Sequence, residues 1–160
     1  MALVHGRADP AHDGVADYTA HLADALGRRG VDVVDVPVDP GARGLLRTTR
    51  CLRASGADLA HVQFAPSAFG FSGAPGLLGD LAGRPLVTTL HEYGWWSCVP
   101  WVPARVWSAC ERRRWADRET GRLVPRSAAV LTTNGEHAAA LHARLGVAAR
   151  RAPLLPNVDL

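Results

Sequence analysis

The sequence predicts an α/β fold, a doubly wound, mostly parallel sheet with helices on both faces. Three observations carry this. Short apolar runs rich in Val, Leu and Ala recur at residues 2–6, 31–36, 59–64, 86–90, 128–132 and 151–155. Most of the intervening segments repeat apolar residues every three or four positions, the period of a helix that buries one face. Alternation of the two implies parallel strands joined by helical crossovers. At 160 residues and 48% hydrophobic content, the chain is long and apolar enough for one domain with its own core.

In order, residues 2–6 form a first strand and residues 7–13 a polar loop. Residues 14–29 form a helix whose Val15, Tyr18, Leu22 and Leu26 share a face. Asp13 suits its N-cap, Asp17 its positive first turn, and Arg28-Arg29-Gly30 its end. Residues 31–36 then read as a strand, 44–55 as a basic helix and 59–64 as a third strand. A Gly/Pro/Ser/Phe loop spans 65–76, and residues 77–82 form a short helix. The fourth strand, 86–90, follows Pro85 and ends on His91 and Glu92. Residues 93–126 hold all five tryptophans. Residues 128–132 make a fifth strand, with Thr133 or Asn134 capping a helix at 135–145 that Gly146 closes. Residues 151–155 are the expected last strand.

Composition removes several function classes. All 18 basic residues are arginine, so there is no lysine for a phosphate-binding loop of the Walker type, a Schiff base or a Ser-Lys dyad. The net charge of +3 is too small to argue for nucleic acid. Cys51, Cys98 and Cys110 form no CxxC pair and look like reduced thiols; His91, Cys98 and Cys110 match no zinc spacing. Without a membrane-length apolar run or a signal-like start, the expectation is a cytoplasmic protein. Gly6 and Gly14 are too far apart for a dinucleotide fingerprint. Gly70-Phe71-Ser72-Gly73-Ala74 lacks both the final glycine and the leading strand of a serine nucleophile elbow.

The candidate site follows from topology. Ligands of open parallel sheets bind beyond the carboxyl ends of the strands. In the usual doubly wound order the first and fourth strands lie side by side. That order sets His91 and Glu92 opposite Gly14, where the helix N-terminus offers free N–H groups to an anion. His91 and Glu92 read as a ligand-orienting or acid/base pair, or as structural residues. Thr133, after the fifth strand, is a helix cap that also faces this crevice. Tryptophans mixed with Arg105, Arg112, Arg113, Arg114 and Arg118 suit a sugar, a nucleobase or a membrane surface. The plainer reading has the tryptophans packed on the sheet, with Glu111, Asp117 and Glu119 balancing part of the charge.

Taken in order, five phrases resemble the N-terminal Rossmann-like domain of a GT-B glycosyltransferase of the family 4 type. They are the glycine-led helix of residues 13–33, Asp58-Leu59-Ala60-His61-Val62-Gln63, Pro85 to Glu92, residues 127–141, and Leu155-Pro156-Asn157-Val158-Asp159. The resemblance implies a domain over residues 1–155. Residues 156–160 would begin an inter-domain linker, with the donor-binding domain outside this chain. It further implies a retaining transferase, with a nucleotide-sugar as co-substrate and no metal or bound cofactor. Its partners would be that donor, a sugar or lipid-linked acceptor and the donor domain or subunit, with peripheral contact at the inner face of a membrane. Residue by residue, Gly14 with Asp13 would lie at the donor diphosphate, His91 beside the sugar or acceptor, and Glu92 and Thr133 around them. Asp13 departs from the pattern, since the family often has a glycine there. A non-catalytic glycan or lipid-linked acceptor module is the alternative.

Overall fold

A computed structural model describes residues 1–6, 13–39, 41–94 and 101–152. Six parallel strands form one sheet in the order β2-β1-β3-β4-β5-β6. They are β1 (Ala2–Gly6), β2 (Val34–Val38), β3 (Ala60–Phe64), β4 (Leu86–Leu90), β5 (Ala129–Thr132) and β6 (Arg150–Arg151). The helices are α1 (Gly14–Gly27), α2 (Ala42–Ala54), α3 (Leu78–Leu81), α4 (Ala104–Arg112), α5 (Leu123–Arg126) and α6 (Gly135–Leu145). The α/β class and the parallel sheet are as expected. The loop at 7–12, Trp95, Trp96, Cys98 and residues 153–160, with the expected linker, lie outside the described residues.

Two sequence expectations are corrected. The first and fourth strands are not neighbours, because β3 lies between β1 and β4. The chain reverses direction across the sheet between β1 and β3, so the switch point is there. The second strand begins at Val34, three residues later than expected, pairing with Ala2. It carries Pro37, which an edge strand tolerates because its outer side needs no N–H donor.

Register shows how the two sheet faces divide. Val4 pairs with Val36 and Val62, Val62 with Thr88, and Thr88 with Val130, so these side chains share one face. That face is the apolar core. Val4, Val62, Leu86 and Leu90 pack there with Leu52 of α2, Leu78 of α3, Leu123 of α5 and Leu141 of α6, all buried. The opposite face carries Leu3, His61, Gln63 and Thr89, continued by His91. Right-handed crossovers explain the division: β1 to β2 runs one way across the sheet and all later steps run the other way, which leaves α1, among the described helices, alone on the second face. Ala16 and Thr19 are its most buried residues, with Val15, Tyr18, Leu22 and Leu26 half-buried beside them.

At the carboxyl end of β1 a Cβ on Gly6 would lie 1.9 Å from the Ala68 carbonyl oxygen. Only glycine lets the turn at Ser67–Phe69 close over that strand end.

Candidate functional site

The carboxyl ends of β3, β4 and β5 gather the expected residues. The His91 backbone N–H donates to the Phe64 carbonyl at 2.9 Å, extending the β3–β4 ladder by one residue. The His91 carbonyl accepts from the Thr133 hydroxyl at 3.3 Å, so Thr133 is held against the same strand end. The cap of α6 is Asn134, whose Oδ1 accepts from the His137 N–H at 2.9 Å. Glu92 Oε2 accepts from the Ser67 hydroxyl at 3.3 Å, tying the turn after β3 to the end of β4.

Helix α1 reaches the same place although β3 intervenes. The rings of Tyr18 and His91 meet edge to face, centroids 5.0 Å apart and planes at 72°. Asp13 at the α1 N-terminus is near enough for its charge to favour protonation of His91. His91, Asp13 and the start of α1 therefore share one lip, joined by side-chain reach rather than by strand pairing. Gly14 is exposed, and a Cβ there would meet nothing within 4 Å.

The expectation of free N–H groups at this terminus is corrected in part. Asp13 Oδ1 accepts from both Val15 N–H and Ala16 N–H at 2.9 Å. The N-cap carboxylate occupies two of the donors that an anion would use, and adds a negative charge beside the rest.

A buried polar line that sequence reasoning passed over runs inward from His91. His91 Nε2 is 2.9 Å from Gln63 Oε1, Gln63 Nε2 is 3.2 Å from His61 Nε2, and His61 Nε2 is 2.8 Å from Thr89 Oγ1. Gln63 is fully buried and Thr89 nearly so. The signal was present in the sequence: His61 and Gln63 stand at alternate positions of an otherwise apolar strand, so they share a face. Burial lowers the pKa of both His61 and His91 to about 4, aided for His91 by His61 and opposed by Asp13. Both rings are neutral at neutral pH.

Hydrogen counting orients the line. With Oε1 of Gln63 toward His91, the His91 Nε2–H donates to it, and the Gln63 amide N–H and the Thr89 hydroxyl share the single lone pair of His61 Nε2. His61 then carries its proton on Nδ1. With the amide turned over, His61 must carry its proton on Nε2, and the buried Thr89 hydroxyl proton loses its only acceptor among the described residues. A shared acceptor is better than none for that hydroxyl, which favours the first arrangement. His91 is then the Nε2–H form, and its Nδ1 lone pair has no partner among the described residues.

The tryptophan and arginine segment differs from its plainer reading. No residue of α4 is buried, Trp101 is 81% exposed and Trp115 61% exposed, so neither indole packs on the sheet. Arg113 lies over the Trp115 ring at 5.2 Å. The carboxylates are engaged elsewhere. Arg144 of α6 bonds Glu111 at 2.7 Å and Glu119 at 2.8 Å, and its guanidinium stands 5.3 Å from the Tyr93 ring centroid. Glu119 in turn accepts from the Gly94 N–H at 2.7 Å. Asp117 caps its own turn through Glu119 N–H, Thr120 N–H and the Thr120 hydroxyl, while burial raises its pKa. Arg144 thus anchors the chain leaving the lip. Among the described residues no His/Cys/Asp/Glu group is arranged to hold a metal, and no helix is long and apolar enough to cross a membrane.

A six-stranded parallel sheet with helices on both faces and a polar lip at its carboxyl edge defines a Rossmann-like α/β domain. The sequence model of Glycosyltransferase Family 4 matches residues 35–158, and the chain belongs to that family. The match takes in His61, Gln63, Thr89, His91, Glu92 and Thr133, whereas β1, Asp13, Gly14 and Tyr18 precede it. Comparison with curated proteins finds no match.

Proposed function

We propose that the chain is the acceptor-side half of a retaining, nucleotide-sugar-dependent glycosyltransferase. The donor half lies on a further domain or a separate subunit. The observation that carries this reading is where a family 4 chain places His91: at the carboxyl end of β4, against α1, with its Nδ1 lone pair unpartnered.

In this reading an acceptor hydroxyl attacks the anomeric carbon on the face from which the nucleoside diphosphate departs. The bond from that carbon to the phosphate oxygen breaks, and the departing phosphate takes the hydroxyl proton. His91, with a pKa of about 4, is too weak a base to be the main proton acceptor at neutral pH. It acts by holding the hydroxyl in line through a hydrogen bond. Gly14 allows the diphosphate close to the backbone, Asp13 limits how many N–H groups greet it, and Glu92 and Thr133 border the acceptor. No metal or bound cofactor enters the scheme, and the nucleotide-sugar is a co-substrate. Supplying the donor half and assaying transfer from a panel of nucleotide-sugars tests the reading. Transfer to a hydroxyl acceptor with retained anomeric configuration supports it, and hydrolysis alone or no reaction speaks against it.

The exposed Trp101 and Trp115, the latter under Arg113 and next to the exposed Arg112 and Arg114 in sequence, favour a second reading, an acceptor-binding module that docks on an anionic membrane face without transfer. Tryptophan fluorescence with anionic vesicles and with soluble glycans separates the two: a shift on binding in a chain that stays inactive with every donor half selects the module.

A further inference from the structure

We propose that Gln63 is the positioning residue of this lip, setting the tautomers of His61 and His91 to opposite forms. One primary amide lies between two imidazole nitrogens of the same name, with Oε1 2.9 Å from His91 Nε2 and Nε2 3.2 Å from His61 Nε2. An amide accepts at one end and donates at the other. Whatever proton His91 carries on Nε2, His61 must lack, and the reverse. With Oε1 toward His91, His61 Nε2 is the bare nitrogen, and the Thr89 hydroxyl at 2.8 Å shares it as its acceptor.

His61 is therefore the Nδ1–H form, the less favoured tautomer of histidine in water, and His91 is the Nε2–H form. The consequence reaches the surface. His91 Nδ1 presents a lone pair to the crevice and not an N–H, so the lip recognises a group that donates a hydrogen bond, a hydroxyl or an amine, and disfavours an anion at that point. That this group is the attacking hydroxyl of an acceptor rests on the function proposed above; the tautomers do not. Thr89 and His61 touch no ligand in this scheme and act only through Gln63.

The test is long-range proton–nitrogen NMR on the 160-residue chain labelled at histidine, assigned with His61→Gln and His91→Gln, at neutral pH. The expected wild-type spectrum has His61 protonated on Nδ1 and His91 on Nε2. Gln63→Glu is close to isosteric but places an acceptor at both ends. It should move the His61 proton to Nε2 while His91 keeps its own. Finding both wild-type rings protonated on the same nitrogen, or His91 protonated on Nδ1, overturns the proposal. An unchanged His61 in folded Gln63→Glu overturns it too. The wild-type spectrum decides by itself if that variant does not fold. Because tautomers are read without any transfer assay, loss of the glycosyltransferase reading and loss of this one are distinguishable.

Discussion

The Tyr18 ring stands edge-on to His91 at 5.0 Å, and through this contact helix α1 reaches the end of β4 across the width of β3. It also keeps water from one side of the imidazole, whose low pKa comes first from burial. Tyr18→Ala should let water in and raise the His91 pKa from about 4 toward the ordinary 6.5, whereas Tyr18→Phe keeps the ring and should leave it unchanged. Histidine NMR titration reads both. Equal pKa values in the Ala and Phe variants would show that the ring contact does not shield His91.

Asp13 bonds Val15 and Ala16 N–H at 2.9 Å, so its carboxylate fills part of the α1 anion site. Asn caps a helix about as well as Asp but carries no charge. Asp13→Asn is expected to tighten binding of a nucleoside diphosphate about two- to five-fold, the size of one charge at a helix terminus, with little change in melting temperature. Calorimetry with the donor half present measures this; weaker binding would mean that the carboxylate assists the ligand.

Arg144 holds Glu119, whose side chain is 1% exposed, together with Glu111 and the Tyr93 ring. Removing it strands a buried carboxylate. Arg144→Ala should cost about 3 kcal/mol, at the low end for a broken buried pair because Arg144 is itself part-exposed. For a domain of this size the melting temperature then falls by about 6–12 °C. A drop under about 2 °C would show that the three partners find water instead.

Acid should weaken the fold through its two buried histidines. His61 and His91 are neutral when folded, with pKa values of about 4, against 6.5 for the unfolded chain. The unfolded state binds more protons between those values, so this contribution is complete above about pH 6.5 and is lost as pH falls toward 4. The loss is on the order of 3 kcal/mol for each ring. Urea midpoints at pH 7, 6 and 5 should decline steadily, and the decline should shrink in a His61→Gln, His91→Gln double variant. A flat profile in the wild type contradicts the burial of neutral rings.

Local chemistry made some features legible in the sequence and left others hidden. β1 and β4 fall where expected, and Gly146 closes α6 in the left-handed conformation at φ 65°. The Asp13 and Asn134 caps and the polar strand end at His91 were readable for the same reason: each depends on residues a few positions apart. Strand order was not readable, because whether β3 or β4 lies beside β1 is decided by contacts remote in sequence. The lip survived that error because Tyr18 bridges the extra strand. His61 and Gln63 looked like part of one more buried strand; only the registry of β3 with β4 reveals that Gln63 reaches His91. Trp101 and Trp115 misled because aromatic content suggests burial, whereas they flank α4 in solvent; Trp107 within α4 is part-buried, as the packing reading expects.

The most direct test of the acceptor-side account is turnover of His91→Ala joined to the donor half. The variant leaves the buried Gln63 oxygen without its donor, at a cost of about 1–3 kcal/mol, so rates are compared at a temperature where both proteins are folded. Loss of one positioned hydrogen-bonding group at a reacting centre predicts a fall in kcat of about 10²–10³-fold. Turnover within about two-fold of the wild type would contradict the account and leave His91 as a residue that only completes a buried hydrogen-bond line.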